Sequence, residues 1–104
     1  MENVLEERPE TAKIHNTLVL RVRYIASRKR LIDEHALKEE TLAALKPRAL
    51  LFFDLAEGNV DGGTKTYHFA RDGNVLSNLS ETLGSLAQGK HELKLDLIER
   101  FEQG

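Results

Sequence analysis

Four histidines, His15, His35, His68 and His91, are the only imidazoles in the chain, and there is no cysteine to complete a zinc-type ligand set. None of the four shows the short paired spacing that such a site uses, so neither metal nor cofactor is expected. Asp33 and Glu34, with Glu39 and Glu40, are the nearest thing to paired carboxylates. Acid–base work would require a cleft that drives their pKa values apart, which so small a domain with few aromatics rarely builds. The glycine-rich stretch Gly58 to Gly63 lacks the Lys-Ser or Lys-Thr ending of a phosphate loop and reads as a turn. No residue is therefore assigned a catalytic role, and the chain is expected to act by binding a protein partner rather than as an enzyme.

The strongest local signal is charge. Arg21, Arg23, Arg28, Lys29 and Arg30 crowd into ten residues. They read as a docking surface for an acidic partner protein, as a nucleic-acid contact, or as a solvated hairpin tip that keeps an exposed strand from pairing with another chain. A net charge of −2 argues against a protein built to neutralise phosphates. Tyr24, the one interleaved aromatic, falls on the apolar face, which leaves base stacking little support.

The elements that must position this cluster fit one domain. The chain has 104 residues, 40% apolar and 31% charged, enough for a single core. Without cysteines, packing and hydrogen bonds alone hold it together, which suits a reducing, cytoplasmic setting. The first residues are acidic and lack a signal-peptide pattern, and no run approaches the roughly 20 apolar residues of a membrane helix. Residues 1–13 read as a flexible acidic N-terminal tail, with a helical turn around Val4 and Leu5 as the alternative, and residues 14–104 as a single α+β domain with a short C-terminal tail.

Within that domain Leu18, Leu20, Val22 and Tyr24 alternate with Arg21 and Arg23, the period of a half-buried strand. Leu31 and Ile32 resume the apolar pattern after the basic run and imply a hairpin. Leu37, Thr41, Leu42 and Leu45 recur at helical spacing, giving a helix over 38–46 that Pro47 is expected to stop. Ala49 to Leu55 reads as a buried central strand, with continuation of the helix as the alternative. It is followed by the Gly58 to Gly63 loop and a strand over 66–70, making a long-looped hairpin. Asp72, Gly73 and Asn74 have turn chemistry. Leu76, Leu79, Leu83 and Leu86 predict a short helix between Val75 and Ala87, with Gly84 as a weak point and Gly89 as its stop. Leu93, Leu95 and Leu97 form the last strand.

This order of hairpin, helix, two strands, short helix and last strand resembles the ubiquitin-like β-grasp family. The likeness rests on the end of a strand at Phe69-Ala70, the turn led by Leu79-Ser80, and Leu93-x-Leu95-x-Leu97, and it covers about residues 16–104. It implies a β-grasp roll, a mixed sheet of four to five strands packed on one main helix with a second short helix. The first and last strands would lie parallel, bringing Arg21 and Arg23 beside Lys94 and Asp96 and allowing a cross-strand ion pair. Gly104 sits a few positions past the last strand, where the family carries its conjugating glycine. The resemblance thus implies a protein modifier, activated or conjugated at Gly104 by a partner enzyme. The chain differs from the family in having Gln103 rather than a second glycine before Gly104, a longer segment from Phe53 to Lys65, and Asp96 where ubiquitin often presents an apolar recognition residue. A non-conjugated adaptor or inhibitor that holds an acidic partner through the basic hairpin is the alternative.

Overall fold

The computed structural model describes residues 16–103; the expected acidic tail and Gly104 lie outside them. Strand β1, Thr17–Tyr24, and strand β2, Arg30–Leu37, form the expected hairpin. The turn is closed by the Ser27 N–H on the Tyr24 carbonyl at 2.9 Å and by the Lys29 N–H on Ser27 Oγ at 3.0 Å, so the serine hydroxyl supplies what an Asn-Gly pair would otherwise provide.

Helix α1 spans Leu42–Phe52 and corrects the first expectation for this region. Thr41 caps it, accepting the Ala44 N–H on Oγ1 at 3.2 Å. The helix does not stop before Pro47 but carries the proline inside, and Ala49 to Phe52 are its last residues rather than a strand. The physical reason is burial. Leu42, Leu45 and Ala49, three and four residues apart, are each 0% exposed, and Phe53 just beyond is 6% exposed. Breaking the helix would take these side chains off the core, and the backbone tolerates one missing donor instead.

Strand β3, Gly58–Val60, occupies the start of the predicted loop and pairs antiparallel with β4, Gly63–Arg71, around an Asp61-Gly62 turn. The partner of β4 in this hairpin is therefore β3 and not Ala49 to Leu55. Gly63 is required by space, because a Cβ there would sit 2.2 Å from the Glu102 carbonyl oxygen. At the other end of β4, Asp72 and Gly73 both take positive φ, 53° and 83°, as a two-residue primed turn demands, and lead into the short strand β5, Asn74–Val75.

Helix α2 is only Leu83–Ala87, shorter than the predicted 75–87, because Val75 is taken by β5. Thr82 caps it on the Ser85 N–H at 3.2 Å. The two helix starts satisfy each other: Leu42 N–H bonds the Glu81 carbonyl, and Leu83 and Gly84 N–H bond those of Glu40 and Lys38. That crossing explains Gly84 inside a helix, since a Cβ would meet Lys38 Cβ at 2.8 Å.

Strand β6, Glu92–Gln103, runs beyond the alternation of leucines, to the residue where a short tail was expected. It lies parallel to β1 and antiparallel to β4, giving the sheet order β2-β1-β6-β4-β3, with β5 on β4 as the sixth strand. The fold is α+β, a mixed six-stranded sheet with two helices. One core joins Leu20 and Val22 of β1, Phe69 of β4, Leu93, Leu95 and Leu97 of β6 and the buried residues of both helices.

Candidate functional site

The parallel register sets Arg21 beside Lys94 and Arg23 beside Asp96 on the outer face of the sheet, as the family layout implied. Arg23 Nε donates to Asp96 Oδ1 at 3.1 Å, and Arg21 pairs with Glu92. Both pairs are largely solvated, so each is worth only about 0.2–1 kcal/mol, and their main effect is to neutralise two of the clustered cations. Lys29 is engaged as well: Nζ donates to the Phe52 carbonyl at 2.6 Å and lies 4.8 Å from the Phe52 ring centroid. It thereby closes the C-terminal end of α1, where a cation suits the helix dipole.

The side chains of Arg28 and Arg30 remain without an ion-pair or hydrogen-bond partner among the described residues. Arg30 stands opposite Arg23 across the β1–β2 pair. Arg23, Arg28 and Arg30 line a depression of about 460 Å³ together with Tyr24, Ile25 and Ser27, and no carboxylate is part of that lining. Ile25 is 86% exposed at its rim, and Ile32, 48% exposed, continues the face along β2. A neighbouring depression of about 570 Å³ includes Arg21, Arg30, Ile32 and Lys94 but also Asp72, Glu92 and Asp96. The five clustered basic residues thus divide, among the described residues, into three with engaged side chains and two without a partner around an apolar tip, a division that depends on contacts formed only in the fold.

Tyr24 supports this tip from below. Its ring packs edge-on against Phe53 and Tyr67 at 5.8 and 5.9 Å, and its hydroxyl donates to Glu99 Oε1 at 3.1 Å. Tyr67 donates to the same oxygen at 3.2 Å. Burial, then the Glu99 carboxylate, raises both phenol pKa values, so both remain protonated donors at neutral pH. The Tyr24 ring is consumed by this packing and offers no stacking platform.

Of the four candidate carboxylates, Asp33 and Glu40 are held in ion pairs. Arg48 of α1 clamps Glu40 with Nε and Nη2 at 3.0 and 2.7 Å and reaches Asp33 with Nη1 at 3.2 Å, tying the helix to β2. Among the described residues no group of three or more His, Cys, Asp or Glu side chains could hold a metal ion. His15 lies outside them.

His68 and Glu57 make stability pH-dependent. Burial lowers the His68 pKa, and the Lys46 and Arg100 charges lower it further against Glu57 and Glu102. Burial alone would raise the Glu57 pKa, but the Lys46 ammonium at 2.8 Å and the Tyr67 N–H at 2.8 Å outweigh it and hold the pKa below the ordinary value. Both folded pKa values are depressed, so the unfolded chain binds more protons in acid. Stability is expected to be full above the ordinary histidine value of 6.5 and to fall as pH drops from there through the folded value of His68. A second fall is expected below the ordinary value of 4.5 for Glu57. Urea midpoints at pH 7, 5.5 and 4 read both steps, and His68→Gln should remove the upper one alone.

No helix among the described residues is long and apolar enough to cross a membrane. No family model matches the chain. No curated protein matches it either. Among solved structures it is similar to a protein reported for molecular mimicry of SUMO that promotes DNA repair, at 14% sequence identity and a TM-score of 0.56, over 81% of this chain and 92% of that one. What the two chains share is the architecture, a ubiquitin-like α+β fold, and the basic hairpin is a feature of this chain's own residues.

Proposed function

We propose that this protein is a β-grasp binding module that works through contact with a partner protein at the tip and outer face of the β1–β2 hairpin, and that catalysis, where it occurs, belongs to its partners. The observation that carries this reading is the free pair Arg28 and Arg30 around Ile25, which is 86% exposed. An apolar anchor ringed by unneutralised cations suits a partner with an apolar side chain set among acidic ones. The likeness to a protein that mimics SUMO supports a role played by a surface rather than by a reaction centre.

The test is a photo-crosslinking pair in the native cells, Ile25→p-benzoylphenylalanine against Leu51→p-benzoylphenylalanine on the exposed side of α1. Position 25 is expected to give a discrete adduct that disappears when Arg28→Glu and Arg30→Glu are added and that position 51 does not give. An adduct that survives charge reversal, or equal adducts from both positions, overturns the reading.

In the second reading the protein is a modifier joined to targets through Gly104. The observation bearing on it is that Gln103, which precedes that glycine, is exposed and pairs with Gly63 at the end of β4. The Glu102–Thr64 and Gln103–Gly63 pairs must open before the terminus can thread into an activating enzyme. Incubation with such an enzyme and ATP should give a thioester or conjugate by mass, and normal product from a chain lacking Gly104 would remove this reading.

A further inference from the structure

We propose that the depression between Arg23, Arg28 and Arg30 is a phosphate site, and that the partner segment it takes is a phosphoserine or phosphothreonine flanked by an apolar residue. The inference rests on the reading of the hairpin tip as a docking surface and goes beyond it by naming the ligand.

Three observations carry it. Arg23 and Arg30 are direct cross-strand neighbours on the outer face. Like charges in that position are destabilising, and Asp96 relieves only the Arg23 side. Arg28, two residues before Arg30, adds a third guanidinium to the same depression, whose lining contains no acid to balance it. A carboxylate on a partner would neutralise one of these cations. A phosphate ester carries close to two charges and three acceptor oxygens, and guanidinium forks bind it through paired hydrogen bonds, so one phosphate can answer Arg28 and Arg30 together.

The second part of the ligand follows from Ile25. Its side chain is held in solvent at the rim of the same depression, where it gains nothing in the isolated protein. A residue next to the phosphorylated one can cover it. At about 460 Å³ the depression is the size of a site for a short segment rather than for an extended polymer. A nucleic acid would require a longer basic track with open aromatic rings, and Tyr24 is turned into the core. An anionic membrane offers the same phosphate chemistry, but the chain's net charge of −2 opposes approach to such a surface.

The experiment is a two-dimensional NMR titration of the full ¹⁵N-labelled chain with four probes: the peptide acetyl-Leu-phosphoSer-Leu-amide, its unphosphorylated form, inorganic phosphate, and vesicles of phosphatidylcholine with phosphatidylserine. The proposal expects saturable shifts at Ile25, Ser27, Arg28 and Arg30 with the phosphopeptide. Binding should be at least about tenfold weaker for the unphosphorylated peptide and for inorganic phosphate alone. Arg30→Glu should abolish the shifts, whereas Arg30→Lys, which keeps the charge but loses the fork, should retain only a weakened response; unchanged peaks elsewhere confirm that both variants are folded. Equal binding of the two peptides, phosphate as effective as the phosphopeptide, or a response to vesicles only would each overturn the proposal. The outcomes separate from the docking reading: an Ile25 crosslink lost on charge reversal together with no phosphopeptide preference leaves the surface standing and removes the phosphate.

Discussion

Phe69→Ala is expected to lower the stability of the protein by about 3–5 kcal/mol. Phe69 is 0% exposed and stands opposite Leu97 where β4 and β6 pair, in the middle of the sheet. Truncation removes the transfer free energy of a whole ring and leaves a cavity that the paired strands on both sides cannot close. A domain of this size has roughly 5–15 kcal/mol in total, so the variant should be near the edge of folding at room temperature. Urea denaturation followed by circular dichroism reads the loss. Leu51→Ala is the control, because Leu51 is 79% exposed and its removal should stay within about 0.5 kcal/mol. A Phe69→Ala loss below about 1 kcal/mol would mean that this face of the sheet is not packed as described.

Pro47→Ala is expected to act in the opposite direction, stabilising the protein by about 1–3 kcal/mol. Pro47 lies inside α1 and has no N–H for the carbonyl four residues before it, that of Ala43. The interior penalty of about 3 kcal/mol is partly offset because proline also restricts the unfolded chain, by about 1 kcal/mol. The Pro47 side chain is exposed, so alanine gives up no core contact. A rise in melting temperature of about 4–8 °C per kcal/mol is the expected readout for a domain of this size. An unchanged or lowered midpoint would contradict a helix running through position 47.

That helix is also the clearest case of what the residues disclosed and what they concealed. The strict alternation in β1 and β6 makes both strands legible, whereas their parallel pairing, which sets Arg21 and Arg23 beside Lys94 and Asp96, was implied only by the family resemblance. The Asp72-Gly73 turn is legible from residue type, since few residue pairs accept its backbone angles. In helix α1 the local rule for proline conflicts with the spacing of Leu42, Leu45 and Ala49, which continues at helical period across Pro47. Burial decided in favour of the spacing. Strand β3 left no apolar signal, as all its residues are exposed and its existence depends on backbone pairing with β4. The outer half of β6 is hidden likewise, because both its faces meet solvent and alternation has nothing to record. At the hairpin the residue types were evident, but not the division of labour. Glu92, Asp96 and the Phe52 carbonyl come from segments far along the chain, and only the folded sheet brings them to Arg21, Arg23 and Lys29.

In the proposed function Arg28 and Arg30 are the cations through which the hairpin holds its partner. The direct measurement is the affinity for the protein recovered by crosslinking from position 25, taken between about 50 and 500 mM salt for the unaltered chain and for Arg28→Gln/Arg30→Gln, since screening over this range shortens the reach of exposed charges to a few ångströms. A several-fold loss of affinity with salt in the unaltered chain, and weaker, nearly salt-independent binding in the variant, is the predicted result. The same affinity and the same salt response in both chains would contradict it.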